Sequence, residues 1–432
     1  MSPVESTSAR HAQPRRPGLV VPVVLRQHVE DAAILHATRT VLTAAPHVRL
    51  RHLRRFDERL EAHLDGLAVA GEHAWPLCEA ALERPSSGAT FAAAIRAIAD
   101  NHTARLGRLI ALAGSVPSAH RGLLAAFGWL ETDVFSNLLP GLLGSSTPLH
   151  RLIGMAACAM HRLDPDIGAL RRFADEDALV RARVWRTAGE MGKRELVSTA
   201  AALVDQDPAC QFWAAWAAVL LGDKHNALDV VASIAAVPGP FRARAFQLTL
   251  QAKGAQSAHG WLATLAKEPA NLRWLIRGAG LVGDPTYVPW LIGHMADTKT
   301  TRLAGEAFSL ITGLDLAWLD LEVKPPENFE SGPNDDPNDP NVDMDEDDGL
   351  PWPDAAKIQA WWHSNSGRFQ PGTRYFMGEP LNRDNCVRVL KEGFQRQRIA
   401  AALYLSLLNP GTPLFEWRAP APRQRRQLAE MT

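Results

Sequence analysis

The chain has 432 residues, 46% hydrophobic and 22% charged, which excludes a disordered or fibrous polypeptide. Its 46 Lys and Arg against 47 Asp and Glu leave a net charge of −1, without the basic surplus of a protein built on phosphate contacts, so a nucleic-acid partner is not favoured. No apolar run approaches the roughly 18 residues of a transmembrane helix, so no membrane partner is expected.

Residues 1–18, MSPVESTSARHAQPRRPG, lack an apolar segment and read as a disordered lead rather than a secretory signal. Cys78, Cys158, Cys210 and Cys386 lie far apart with no CxxC, which argues against a zinc site or a disulfide framework. That cysteine usage fits a reducing, cytoplasmic setting.

Residues 19–145 carry helical periodicity. Leu35, Thr38 and Leu42 form one stripe, and Leu53, Phe56, Leu60, Leu64 and Leu67 form a second. Further helices are expected over 89–113 and 119–131, and strand signals are almost absent.

Residues 146–321 repeat. Pro148, Pro208, Pro238 and Pro269 fall near multiples of 30, with Ala178 and Lys299 in the slots between. Gly192, Gly222, Gly254, Gly283 and Gly313 form a second series with the same period. Proline suits the first turn of a helix and glycine the left-handed turn that ends one. Each unit therefore reads as helix, glycine turn, helix. Two-helix units bury their faces only by stacking, which predicts an all-α solenoid.

Residues 322–354 are acidic and rich in Pro and Asn, with nine carboxylates between Glu330 and Asp348 and no Lys or Arg among them. They read as a loop or linker. Residues 355–432 resume as a helical segment with a short extended piece near QPGTRYFMGEPL and a basic, Pro-rich tail.

These residues carry a resemblance. LVGDPTYVPWLI is similar to short HEAT-like repeats of the phycobilisome-lyase type. HVEDAAILHATR, FDERLEAHLDGL, GPNDDPNDPNVDMDEDDGLPWPD, GRFQPGTRYFMGEP and RQRIAAALYLSLLNPGTPLF resemble a bacterial family of HEAT-repeat proteins, many encoded near type VI secretion genes. The resemblance implies a HEAT-like α-solenoid, and a protein partner such as a secretion effector or structural component. It implies no reaction.

Three groups of residues are candidates for chemistry. His28 and Asp31 on one helix, with Asp57, Glu61 and His63 on the next, would offer metal ligands and acid/base carboxylates if the helices pair. No HExxH spacing supports this, and ion pairing with Arg54, Arg55 and Arg59 is the simpler expectation. Asp343, Asp345 and Asp347 imitate the start of a calcium loop, but Gly349 comes one place late and position twelve is Asp354 rather than Glu. Trp352, Trp361 and Trp362 flank the acidic segment. With Asp343, Asp345, Asp347, Arg368 and Arg374 they are candidate partner-binding residues, although pinning the loop is the alternative for the tryptophans. Arg368, Arg374, Lys391, Arg396 and Arg398 make the C-terminal region locally basic.

No Walker loop, GxGxxG after a strand, GxSxG or Cys–His pair is present, and no cofactor is expected. The expected function is a non-catalytic protein-binding scaffold, an adaptor, chaperone or immunity-type protein. The alternatives are a metal-dependent enzyme on the N-terminal His and carboxylate helices, and a HEAT-like nucleic-acid-binding protein.

Overall fold

A computed structural model describes residues 21–165, 167–174, 177–196, 200–327, 329, 332–333 and 344–431. The disordered lead expected over 1–18 lies outside them. The fold is all-α, with two small two-stranded sheets among the described residues. No described helix is long and apolar enough to cross a membrane.

The N-terminal region opens with α1 (Pro22–Leu42) and α2 (Leu50–Ala70), packed as a hairpin. The Leu53, Leu60, Leu64 and Leu67 stripe is buried as its spacing predicts, while Phe56 is only half-buried. Next come α3 (Trp75–Ala81), α4 (Ser87–Ala99), α5 (Thr103–Ser115), α6 (Pro117–Trp129), α7 (Thr132–Phe135) and α8 (Leu139–Leu143). The Ala-rich α4 is buried almost throughout, because small side chains let α1 and α6 approach it closely.

The central region comprises α9 (Pro148–His161), α10 (Ile167–Phe173), α11 (Ala178–Met191), α12 (Pro208–Leu220), α13 (Asn226–Ala236), α14 (Arg242–Ala252), α15 (Ala255–Leu265), α16 (Leu272–Val282), α17 (Val288–His294) and α18 (Thr301–Thr312). Helices α9, α11, α12, α14, α16 and α18 pack each on the next, and α9 continues the row back to α6. The periodic residues mark the ends of this row. Pro148 and Pro208 open α9 and α12, and Pro269 opens the turn before α16. Pro238 instead precedes α14, which starts at Arg242. Gly192, Gly222, Gly283 and Gly313 all take positive φ at the ends of their helices. Gly254 does not: at φ −62° it stands one place later, as the N-cap of α15.

The acidic segment leaves and returns through a paired base, β1 (Glu322–Val323) against β2 (Trp352–Pro353), antiparallel with Val323 opposite Trp352. It is therefore a closed excursion rather than a linker. After α19 (Ala355–Asn365), the hairpin β3 (Tyr375–Phe376) and β4 (Glu379–Pro380) leads into α20 (Arg383–Glu392), α21 (Gln395–Leu408) and α22 (Ala421–Glu430).

This C-terminal arm runs back along the C-terminal ends of the row, where helix carbonyls lack intrahelical partners. Met377 N donates to Leu310 O at 2.7 Å, Tyr375 N to Gly283 O at 2.8 Å and Leu414 N to Glu190 O at 2.9 Å. Arg374 alone reaches four carbonyls, those of Leu250, Gln251, Lys253 and Val282, at 2.7–3.0 Å. Arg423 closes the series on Gly128, Trp129 and Leu130 at the end of α6. The arm lies so close that a Cβ on Gly192 would overlap the Gly411 carbonyl, and one on Gly283 the Tyr375 carbonyl. Those two glycines answer to the turn and to the arm together.

The arm ends on the N-terminal hairpin. Asp57 accepts from Arg39 at 2.5 Å and from Ala421 N at 2.7 Å, while Arg39 also donates to the carbonyls of Arg418 and Ala419. One hydrophobic cluster accordingly joins α11–α16 to α20–α22 and reaches Leu50 of α2.

Candidate functional site

The α1–α2 hairpin brings only part of the expected metal set together. His28 Nδ1 and His63 Nδ1 are 3.1 Å apart, so one imidazole donates and the other accepts, and Asp31 lies 3.7 Å from His63. Asp57 faces away into the buried Arg39 pair. Glu61 accepts the indole N–H of Trp129 at 2.8 Å, and burial raises its carboxyl above the ordinary range. The five residues thus divide among three environments. Among the described residues, no three His, Cys, Asp or Glu group so as to hold a metal ion. Arg54 pairs with Glu58 at 3.3 Å, as the i, i+4 spacing predicts.

The partner-binding candidates are largely internal. Trp362 is buried and Trp361 packs beside it, both against the Ile358–Phe369–Phe308 core, so they hold α19 rather than face a partner. Arg374 is committed to the helix ends described above. Trp352 is half-buried, with the Arg302 guanidinium 4.9 Å from its ring. Of the candidates among the described residues, only Arg368 is exposed. Asp343 lies outside the described residues. Asp345 and Asp347 are not free acids: Asp345 pairs with Arg302 at 2.7 Å, and the buried Asp347 with Arg273 at 2.7 Å. The C-terminal basic residues do not share one surface either, since Arg398 is fully buried among the Leu390 carbonyl, Gln395 and Gln424.

The feature that does gather side chains at a surface is a groove between the inner row and α21. Its middle cavity, about 490 Å³, has Phe246, Leu281, Leu303, Ala307 and Leu310 as floor, with Trp274, Arg277, Glu306 and Arg396 around them. Ala243, Gln247 and Ile399 connect it to a smaller cavity of about 200 Å³ lined by Arg186, Trp213, Arg244 and Arg418. Glu306, Arg396 and Gln397 connect it on the other side to a cavity of about 630 Å³ beside Leu316, Trp352 and Phe394. Three cavities thus lie in line along α21.

The foot of the acidic segment sits on the rim. Glu346 pairs with Arg277 at 2.7 Å, and its carbonyl accepts from Arg396 at 2.7 Å, while Arg396 also holds Glu306 at 3.0 Å. Burial acts to raise the Glu346 carboxyl, but Arg277 and Arg273 outweigh it and hold the group below the usual range. At the far end, burial would likewise raise Glu190, yet the Arg183 and Arg186 guanidiniums bring it down to about 2.

Except for Trp352 and Arg396, the groove residues are not singled out by the sequence motifs, although the 30-residue period contains many of them. Arg186, Trp216, Gln247, Arg277 and Glu306 stand 29 to 31 apart in the numbering and all line the cavities. Trp213, Ala243, Trp274 and Leu303 form a second such series. No protein-family model matches the chain, and no curated protein or solved structure matches it.

Proposed function

We propose that the chain is a HEAT-like α-solenoid that serves as a non-catalytic scaffold, holding an extended segment of a partner protein in the groove between its inner helices and α21. One observation carries this reading. Register-equivalent residues of successive units, Arg186, Trp216, Gln247, Arg277 and Glu306, converge on one continuous trough whose middle is apolar. A solenoid repeats its geometry, so equivalent positions line one face and make an elongated binding surface. Tryptophan and arginine over an apolar floor are the residue types that anchor protein interfaces.

The resemblance to HEAT-repeat proteins encoded near type VI secretion genes suits a cytoplasmic adaptor, chaperone or immunity-type role, with a secretion effector or structural component as the bound protein. The experiment is site-specific photocrosslinking in cells of the source organism. A photoreactive residue in place of Gln247 should capture one protein, through one mapped segment, that a photoreactive residue at Val69 on α2, 90% exposed, does not. Capture of the same proteins from both positions would overturn the proposal.

A further inference from the structure

The small cavity at the Arg244 end is a cup in which positive charge is left over. Arg186 reaches it from α11, Arg244 from α14 and Arg418 from the segment before α22, beside Trp213, Trp216 and Leu403. Glu190 is already shared, by Arg183 at 2.5 Å and Arg186 at 2.7 Å. Glu416 is the other acid in the lining, and its Oε1 accepts the backbone N–H of Arg418 at 3.1 Å.

Neither the Arg244 nor the Arg418 guanidinium has a hydrogen-bond acceptor or ion-pair partner among the described residues. Arg418 is hydrogen-bonded only through its backbone, its guanidinium lying 5.5 Å from the Trp417 ring centroid, and Arg244 overlies the Trp213 ring, 5.9 Å from its centroid. Four guanidiniums, counting Arg183 behind the wall, therefore face two carboxylates. Mutual repulsion of this kind is relieved by an anion. The Arg244 guanidinium registers it: the enclosing walls, then Arg418 and Arg186, lower it to about 10, although its side chain faces the open groove. The Trp417 indole N–H, also in the lining, is buried without an acceptor.

The rest of the groove shows what neutralises such a cation here. Arg277 is matched by Glu346 of the chain's own acidic segment, and Arg396 by Glu306. Of the guanidiniums lining the groove, only those of Arg244 and Arg418 lack a carboxylate partner among the described residues. Phosphodiester backbone needs cations along its whole track, whereas this groove puts an apolar cavity of about 490 Å³ next to one charged cup.

We infer that the cup bounded by Arg186, Arg244 and Arg418 is a carboxylate subsite, taking an Asp or Glu side chain of a partner segment whose apolar residues occupy the adjoining cavity. The inference rests on the groove being the binding surface proposed above. A planar guanidinium donates two parallel hydrogen bonds to a carboxylate, and Trp213, Trp216 and Trp417 line the same cavity.

The test uses the full chain and three labelled peptide pools. The pools share the same Leu and Phe anchors and differ only in carrying Asp/Glu, Asn/Gln or Lys/Arg between them. A single-stranded oligonucleotide is the fourth probe. Arg244 and Arg418 are both exposed, so Arg244→Glu and Arg418→Glu can be combined without entering the core, and thermal unfolding checks that the variant folds. The acidic pool should bind the wild type about tenfold tighter than the neutral pool, and the double variant should erase that preference. Equal binding of the acidic and neutral pools, still blocked by Ala243→Trp, would overturn the carboxylate subsite and leave the groove standing. Binding unaffected by Ala243→Trp, or no binding of any pool, would overturn both. Preference for the oligonucleotide, lost in the double variant, would replace the carboxylate with phosphate and overturn the inference.

Discussion

Arg277 and Glu346 lie 69 residues apart in the chain and 2.7 Å apart in space, and their pair stands on the rim of the groove. Through it, part of the most acidic stretch of the sequence becomes a wall of the surface that best suits a partner. The neighbouring Asp347 does a different job. It is buried against Arg273, while its carbonyl accepts from Arg302 at 3.1 Å.

That difference predicts unequal effects. Glu346→Gln should change global stability by less than about 1 kcal/mol, because the Glu346 side chain is 64% exposed and water screens the pair. Asp347→Ala should cost about 2–3 kcal/mol, since it removes the buried carboxylate that Arg273 pairs with, while Arg302 keeps Asp345 and the backbone carbonyl at 347. Denaturant titration of the two variants measures this, and equal losses would contradict it.

The glycine turns give a second contrast. Gly283→Ala should destabilise by about 2 kcal/mol or more, from left-handed strain at φ +72° and overlap with the Tyr375 carbonyl. Gly239→Ala, with nothing within 4 Å of the added methyl, should be close to neutral. Hydrogen exchange should also show β3 loosening in the first variant only.

Trp362 and Trp318 separate packing from exposure. Trp362→Ala should cost about 3–5 kcal/mol, because it empties a buried site between α19 and Phe369. Trp318→Ala removes a side chain that is 85% exposed and should leave the unfolding midpoint in place.

These contrasts show what was legible in the sequence. Glycine turns were readable because positive φ is a local demand, and the exception, Gly254, is an N-cap because α14 ends on an extended Lys253 at φ −69°, ψ 143°. The pair Trp361–Trp362 was ambiguous, since adjacent aromatics on an amphipathic helix suit a core or a surface equally well. The C-terminal arm was invisible for a different reason. Its contacts, such as Arg39 with Arg418 and Arg423 with Gly128, join residues about 300 or more positions apart, and no spacing rule encodes them. The groove lies between these cases. Its residues share the 30-residue period, but the face on which they meet is set by how α11, α12, α14, α16 and α18 pack on one another.

The buried His36 and the half-buried His161 make stability fall in acid. His36 stacks on Phe91 with its Nδ1 unpartnered, and burial, with Arg39 adding to it, lowers it from 6.5 to about 4. His161 is lowered to about 4, chiefly by burial with Arg423 adding, although its bond to the Phe127 carbonyl opposes the shift. Both groups are neutral in the fold and take up protons more readily when unfolded. Their stabilisation is therefore complete above about pH 6.5 and is lost as pH falls towards about 4, on the order of 2–3 kcal/mol each. Denaturant midpoints across that window should fall with pH, and His36→Phe should flatten the slope. An unchanged slope in that variant would contradict the assignment.

Ala243 is the exposed residue where the middle cavity meets the Arg244 cup, so Ala243→Trp plugs the groove without touching the core. The direct measurement is the affinity of this variant for the protein captured through position 247, compared with wild type at equal thermal stability. Binding should fall at least about tenfold, as expected when a bulky ring fills the centre of an interface. Wild-type affinity in the plugged variant would contradict the claim that this chain works through its groove.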